Sequence, residues 1–557
     1  MKERIRLPLL VLACAVPAAA EATLLRAIGF TSAIGLAPQA SAIWPYGAYH
    51  DMRWVMVYHN SWLMFAAELL LSFLLRGAMC AGFVALAWPS DVPRPAWYRL
   101  LVRSTVVVAI SGVLMSPWAV LAIAASVASL SWFLFSSIAP VLLLAVVLLR
   151  GGVLPGWWRG LPSAGLLAWS LLSFVTLTIG AALTWSVPGW WAVPVAAAGG
   201  ASNALIWRGL VRAVVLAPQA RLRWVPAVPL LALASLAVPF LVLATVGDMG
   251  KKGYGWRPPI IAEPLANTVK HTVIVIAGHA SAYDGTPALD DPRVVRYSYR
   301  GLDSQGRPRP YPPEATLQSL DTSAALLREQ VAQVRRRTGR PVALVGHSEG
   351  ALVARRYLAS TPDHGVDLVA LSSPPVRAGL AYFPPPDARS GWGVAAGWEL
   401  RVLFTVTFAA VGRDPDSPDQ PVVRSLLDDA PFYRNQMLCP IPGVRMVAFV
   451  PTDTATVVPP GGESDIPVLQ MPSFHGGLIH RAVVHRQLIR FLEGSELMRE
   501  ERLDYAAIQR TAGAWQAPAL ALSVNPAWRA DLIDGGPRRD EGDAAFDGHS
   551  CRPTTPR

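Results

Sequence analysis

The sequence predicts two fold classes in one chain: an N-terminal all-α transmembrane bundle of about six to seven spans, then an α/β domain on a mainly parallel sheet. Three observations predict this. Hydrophobic residues make up 52% of the 557 positions and charged residues only 16%, a low charge that points to membrane segments. Apolar stretches recur up to Val246, each near the roughly 20 residues that cross a bilayer. Beyond a Gly/Pro-rich break at 247–264, strand and helix patterns alternate, which implies a parallel sheet with helices on its faces. The expected division is a membrane region at 1–247, a linker at 248–267, an α/β domain at 268–495 with an insertion at about 376–440, and a tail at 496–557, partly without fixed structure.

The apolar elements come in order. Lys2, Arg4 and Arg6 precede the run Leu7–Ala20, which reads either as a signal peptide ending at Ala18-Ala19-Ala20 or as a first span. The stretch to Asn60 reads as an aromatic loop, with Trp44, Tyr46, Tyr49, Trp54 and Tyr58 at positions suited to the membrane interface. Further spans are expected at Trp62–Trp88, Ser104–Ala124, Trp132–Leu149, Leu166–Trp185, Trp190–Ile206 and Val225–Val246. A tight hairpin near Ser126–Ser131 and a turn at Ser186–Gly189 separate neighbours. Glu68 and Arg76 lie within one apolar segment; they read as a packing or orientation pair, or as an arginine reaching toward the membrane surface.

Charge sets the expected topology and excludes one class of function. Residues 1–250 hold 15 Lys/Arg against 6 Asp/Glu, and residues 251–557 hold 34 against 32. Most of the net charge of +11 therefore sits between apolar segments, where the positive-inside rule collects it. This argues against nucleic-acid binding, for which no motif is present. Basic loops around Arg94–Arg103, Arg150–Arg159 and Arg208–Arg223 on the cytoplasmic side place everything after Asp248 outside the cytoplasmic membrane. Cys14 and Cys80 read as packing residues in apolar segments. Cys439 and Cys551 are able to pair if the second half is exported.

In that second half, His271–Ala277 and Val294–Tyr299 read as strands. A helix carries Ala324, Leu327, Val331 and Val334 and ends at Arg335–Arg337 and Gly339, a charge and stop signal. Then comes Pro341-Val-Ala-Leu-Val-Gly-His-Ser-Glu-Gly-Ala351: a short apolar strand, a Gly-x-Ser-x-Gly turn and the start of a helix. Such a turn exposes a serine hydroxyl above the sheet edge, and its glycines leave room for the strand and helix to meet. Further strands follow at Val366–Leu371, Val444–Val450 and Ile466–Leu469.

With these motifs in place, residues from about Thr268 to Leu492 resemble the α/β-hydrolase family, its lipase-like and esterase-like members in particular. The match rests on the turn at Ser348, on the strand Val273–Ile276 running into a Gly-containing loop, and on a late acid and base in the order Ser, Asp, His. The resemblance implies an α/β-hydrolase fold with Ser348 as nucleophile and His475 as base, in Pro472-Ser-Phe-His-Gly-Gly477. It implies Asp453 as orienting acid, after the strand Val444–Val450, with Asp465 as its rival. It further implies an oxyanion hole from the backbone N–H of Glu349 and that of His279, or of Ala280 if the register shifts by one. The side chains of His279 and His347 read as structural, and His480 and His485 as positions on the helix that closes the domain. The insertion, apolar at Gly391–Val411, reads as a cap over an acyl pocket or as an excursion of core helices.

The expected function is that of a membrane-anchored serine hydrolase acting on lipid or other hydrophobic acyl esters, in contact with membrane lipids and without a cofactor or metal. The same residues would serve an acyltransferase or a thioesterase. A different reading makes the bundle the working part, as a transporter or scaffold, with the second domain a binding module.

Overall fold

The computed structural model describes residues 3–28, 30–125, 137–216, 224–237, 261, 263–287, 289–375, 383–410, 418–429, 433, 437–451, 466–471, 473, 475–478, 481–497, 506–516 and 518. The helical region comprises α1 (Glu3–Ala27), a 3-10 segment at Thr31–Ser41, α2 (Trp44–Val57), α3 (Trp62–Ala87), α4 (Trp97–Ala125), α5 (Ala139–Leu148), α6 (Ala164–Ser186), α7 (Ala192–Val215) and α8 (Ala227–Ala237). Among the described residues, four helices are long and apolar enough to cross a membrane: Ile5–Ala27, Trp62–Ala87, Trp97–Ile123 and Ala164–Ser186. Their outward residues are apolar as well; Leu63, Leu70, Leu74, Val113 and Leu171 are all exposed. Lipid satisfies such a surface and water does not. The hairpin expected at Ser126–Ser131, the distal part of the last expected span and residues 248–260 lie outside the described residues.

α1 is built into this bundle. Leu10, Cys14, Ala18, Ala22 and Leu25 are buried along one side of it, the stripe a helix needs to pack on a neighbour. That neighbour is α7, where a Cβ on Gly200 would stand 2.6 Å from the carbonyl oxygen of Cys14. Small residues of this kind let membrane helices approach closely.

The expected interfacial loop before Asn60 is instead α2, with Trp44, Tyr46, Tyr49 and Met52 fully buried. Hydropathy conceals this helix because His50, Asp51 and Arg53 sit within it. Each of the three is satisfied by another element, as buried polar groups must be. Arg76 on α3 donates from Nε to Asp51 Oδ2 at 2.7 Å, with further bonds from its Nη atoms to Asp51 Oδ1 and the Ala40 carbonyl. His50 lies 3.0 Å from Asp51 Oδ1 through Nδ1 and 3.0 Å from Glu21 Oε1 through Nε2. The pairing of Arg76 with Glu68 is thereby corrected: Arg76 turns inward to Asp51, and Glu68 stays half-buried on α3.

The second half forms a six-stranded sheet from β1 (Thr272–Ile276), β2 (Val294–Arg296), β3 (Val342–His347), β4 (Val366–Ser372), β5 (Arg445–Pro451) and β6 (Val468–Met471). Its order is β2-β1-β3-β4-β5-β6, and every pairing is parallel. Strands β1 and β3 are buried on both faces, which is why they read as unbroken apolar runs. The helices are α9 (Leu320–Thr338), α10 (Glu349–Ser360), α11 (Val394–Ala410), α12 (Pro421–Asp428), α13 (Ala482–Glu493) and α14 (Ala506–Gly513). α9 starts at Ser319, whose Oγ accepts from the N–H of Thr322, and stops at Gly339 in a left-handed conformation. Leu327 and Val331 of α9 cover one face of the sheet beside Ile274 and Leu344, while Leu488 and Phe491 of α13 cover the other beside Val273 and Val345.

Part of the insertion lies on the helical bundle. α11 packs on α2, α3 and α4 rather than within the α/β domain. Ala396 and Leu400 join the apolar core of the bundle. The N–H of Ala395 donates to His59 Nε2 at 2.9 Å, and Ser116 of α4 donates to Glu399 Oε1 at 2.7 Å. α12 returns to the α/β domain, where the Ser425 hydroxyl accepts from the N–H of Leu320 at 3.1 Å.

Asp51 and Glu68 separate the two accounts of Arg76. Removing one partner of a buried ion pair costs about 3–5 kcal/mol, whereas a change at an unpaired position costs about 0.5 kcal/mol or less. Asp51→Asn is therefore expected to lower the thermal midpoint in detergent strongly and Glu68→Gln hardly at all. Equal effects would refute the assignment.

Candidate active site

The sheet order reverses between β1 and β3, so the connections of these strands leave the sheet in opposite directions. In open α/β sheets a crevice opens at such a point, at the C-terminal ends of the strands. Ser348 stands there, between the end of β3 and the first turn of α10. Its backbone has φ 53° and ψ −118°, a conformation uncommon for any residue with a side chain. Two neighbours hold it. The N–H of Ser348 donates to the carbonyl of Ser372 at the end of β4, 2.9 Å away. On the other side α10 presses against β1: a Cβ on Gly350 would lie 2.3 Å from the carbonyl oxygen of Ile276. Only glycine permits that contact, and the contact forces the sharp turn.

His475 comes to Ser348 from the loop after β6. Its Nε2 lies 2.9 Å from Ser348 Oγ, within reach for a proton transfer. The hydroxyl of Ser373, itself at φ 48°, donates to the carbonyl of His475 at 3.0 Å and fixes the loop. Sequence reasoning missed Ser373; its position directly after β4, beside Ser372, was the available signal. Desolvation pushes the His475 imidazole down to about 4, so it is a neutral acceptor at ordinary pH. Asp453 and its rival Asp465 lie outside the described residues.

Glu349 and His279 meet through their side chains. Glu349 directly follows the serine and is buried, yet its Oε2 reaches His279 Nδ1 at 2.9 Å. Burial raises the Glu349 carboxyl above its usual range, and His279 and then Tyr299 partly oppose this. The Tyr299 hydroxyl also donates to the carbonyl of Ala277, 2.7 Å away, tying the end of β1 to the same cluster. The N–H of Ala280, the donor in the alternative register, bonds to Thr316 Oγ1 at 3.0 Å. His347 ends β3, buried with its ring centroid 5.9 Å from that of His475. His485 lies on α13, away from this cluster, and His480 is outside the described residues.

A nucleophilic oxygen, an unprotonated base in contact with it and a fixed loop facing the helix start make a constellation suited to acyl transfer. Among the described residues no three metal-binding side chains come together. Residues 273–539 match the family model described as "Alpha/beta hydrolase family". A search of curated proteins finds no match to the chain.

The Glu349–His279 contact is testable by stability. His279→Ala leaves a buried carboxyl without this partner and is expected to cost about 1–3 kcal/mol. Glu349→Gln keeps a hydrogen-bonding group toward His279 and is expected to cost clearly less. Thermal unfolding of the two variants decides, and a larger loss for Glu349→Gln would count against the contact.

Proposed function

We propose that this chain, an alpha/beta hydrolase domain joined to a helical membrane region, is a membrane-anchored serine hydrolase that cleaves acyl esters of lipid or similarly hydrophobic substrates. The single observation behind this is the 2.9 Å contact between Ser348 Oγ and His475 Nε2, made by a serine held at positive φ.

The chemistry follows from that contact. His475 Nε2 takes the Ser348 proton as Oγ attacks the ester carbonyl carbon. The N–H groups of Glu349 and His279 stabilise the charge that develops on the carbonyl oxygen, where such donors act most strongly. The intermediate collapses and the C–O bond breaks. His475 gives its proton to the leaving alcohol, and Ser348 keeps the acyl group. Water, deprotonated by the same histidine, then releases the acid. Asp453 is assigned to hold the imidazole through Nδ1 and to stabilise its charged form.

The preference for hydrophobic esters rests on where the insertion goes. From the end of β4 the chain reaches Gly391 and Gly393, whose N–H groups donate to the carbonyls of Asn60 and His59 at 2.7 and 2.8 Å. α11 then lies on the bundle with Trp398, Val402 and Val406 exposed, an apolar surface suited to lipid. Two features support an extracytoplasmic position of the hydrolase domain: the basic loops of the bundle, and Cys439, which is disulfide-bonded and so belongs in an oxidising compartment. Cys14 and Cys80 are free and buried, and Cys551 lies outside the described residues.

A fluorophosphonate probe is expected to label the folded wild type and not Ser348→Ala, with His475→Ala and Asp453→Ala slowed about a thousandfold or more. Absence of labelling in folded wild-type protein would remove the enzyme reading, and rapid labelling of Asp453→Ala would remove that residue from the triad.

The lowered His475 also predicts a pH profile. A base must be unprotonated to act, so activity rises with pH as the proton leaves. With the histidine held near 4, the acid limb of kcat/KM is expected between about pH 4 and the ordinary histidine value of about 6.5. A limb at or above pH 7 would contradict it.

A further inference from the structure

Past the hydrolase domain the chain does something its composition does not announce. α13 ends at Gly494, and after the stretch 498–505, outside the described residues, the chain reappears against α6 of the membrane bundle as α14. Immediately after α14, Ala514, Trp515 and Gln516 are 0%, 3% and 6% exposed.

All three backbone carbonyls in this triplet accept from side chains of the bundle. Gln39 Nε2 donates to Ala514 O at 2.6 Å. The Tyr49 hydroxyl donates to Trp515 O at 3.4 Å. Arg53 Nη1 donates to Gln516 O at 2.7 Å and to Ala514 O at 3.3 Å. The indole is read as well. It stacks on Phe174 with centroids 4.6 Å apart at 17°, and meets Tyr46 edge-on at 5.6 Å. Its Nε1–H donates to Thr178 Oγ1 at 2.8 Å. This is recognition of a backbone and a side chain together, and contact with apolar neighbours alone would not need it.

Arg53 makes the case specific. It is fully buried and bonds to Gln39 Oε1 and to the Tyr49 carbonyl, but among the described residues no carboxylate pairs with it. A buried cation requires compensation. Here the carbonyls of Ala514 and Gln516, in the turn that follows α14, supply part of it. The bundle thus holds a cation whose remaining acceptors come from the tail.

We propose that the membrane bundle carries a peptide-binding site, made by Gln39, Tyr46, Tyr49, Arg53, Phe174 and Thr178, and that Ala514–Gln516 of the same chain is its ligand. With α11 as the first attachment, this site is the second one that holds the hydrolase domain against the bundle. The inference does not depend on the proposed esterase activity.

The test uses the full-length protein in detergent, with a protease site inserted between Met498 and Tyr505. After cleavage and reduction of the disulfide, the 506–557 fragment is expected to co-elute with the remainder on gel filtration. Trp515→Ala, which alters only the ligand, and Arg53→Ala, which alters the site, are each expected to lower retention at least tenfold. A synthetic peptide of residues 506–516 is expected to displace the fragment, and its Trp515→Ala version is not. Release of the wild-type fragment on cleavage, or equal retention of the Trp515→Ala fragment, overturns the proposal. Ser348 labelling by fluorophosphonate, run alongside, reports separately on the hydrolase reading.

Discussion

The contact between α10 and β1 constrains the rest of the second domain. With Gly350 against the carbonyl of Ile276, the chain has no room for a gradual passage from β3 into α10. The turn is completed within Ser348, at φ 53°. This works only if β3 is flanked on both sides: β1 supplies the surface on which α10 rests, and β4 supplies the Ser372 carbonyl that takes the Ser348 N–H. A central position in a parallel sheet is therefore a condition of the strained serine. The same packing brings the first residue of α10, Glu349, against the loop after β1, where His279 receives its side chain. One close approach thus fixes both the oxygen and the surroundings of the N–H groups beside it, and pre-organisation of that kind lowers barriers in acyl transfer.

Much of this was legible because it is local. The strand, the turn and the helix around Ser348 occupy one short stretch, and each has a composition the backbone requires: β-branched residues, then Gly346 and Gly350, then helix formers. The order of serine and histidine was readable too, since strands and helices alternate in a fixed sense. What was not legible depends on residues far apart in the chain. Ser373 steadies His475 across 102 positions, and no spacing rule links them. Nor does any rule reveal that Thr316 accepts from the N–H of Ala280.

The bundle shows the same limit more strongly. α2 reads as a loop because His50, Asp51 and Arg53 break its apolar pattern, and hydropathy scores a charge without regard to its partner. In the folded bundle each of these charges is answered from elsewhere: Glu21 on α1, Arg76 on α3, the carbonyls of the tail. Glu68 and Arg76 show the same limit: they are near one another along α3, yet Arg76 pairs across to Asp51. The insertion is ambiguous for a related reason. Its apolar residues suit a lid, a core helix or a membrane contact equally well, and the Ala395–His59 and Ser116–Glu399 bonds reveal that α11 meets the bundle.

These observations share a physical rule. In a region with little water, an ionised or polar side chain is stable only where a second element meets it. Three of them mark tertiary contacts of the bundle. Asp51 marks the packing of α2 on α3, Glu399 that of α11 on α4, and Arg53 the arrival of the C-terminal segment. Two of the three lead to parts of the chain outside the bundle, the insertion and the tail. Arg53 and Glu399 are thus the points at which the bundle meets the C-terminal segment and the insertion.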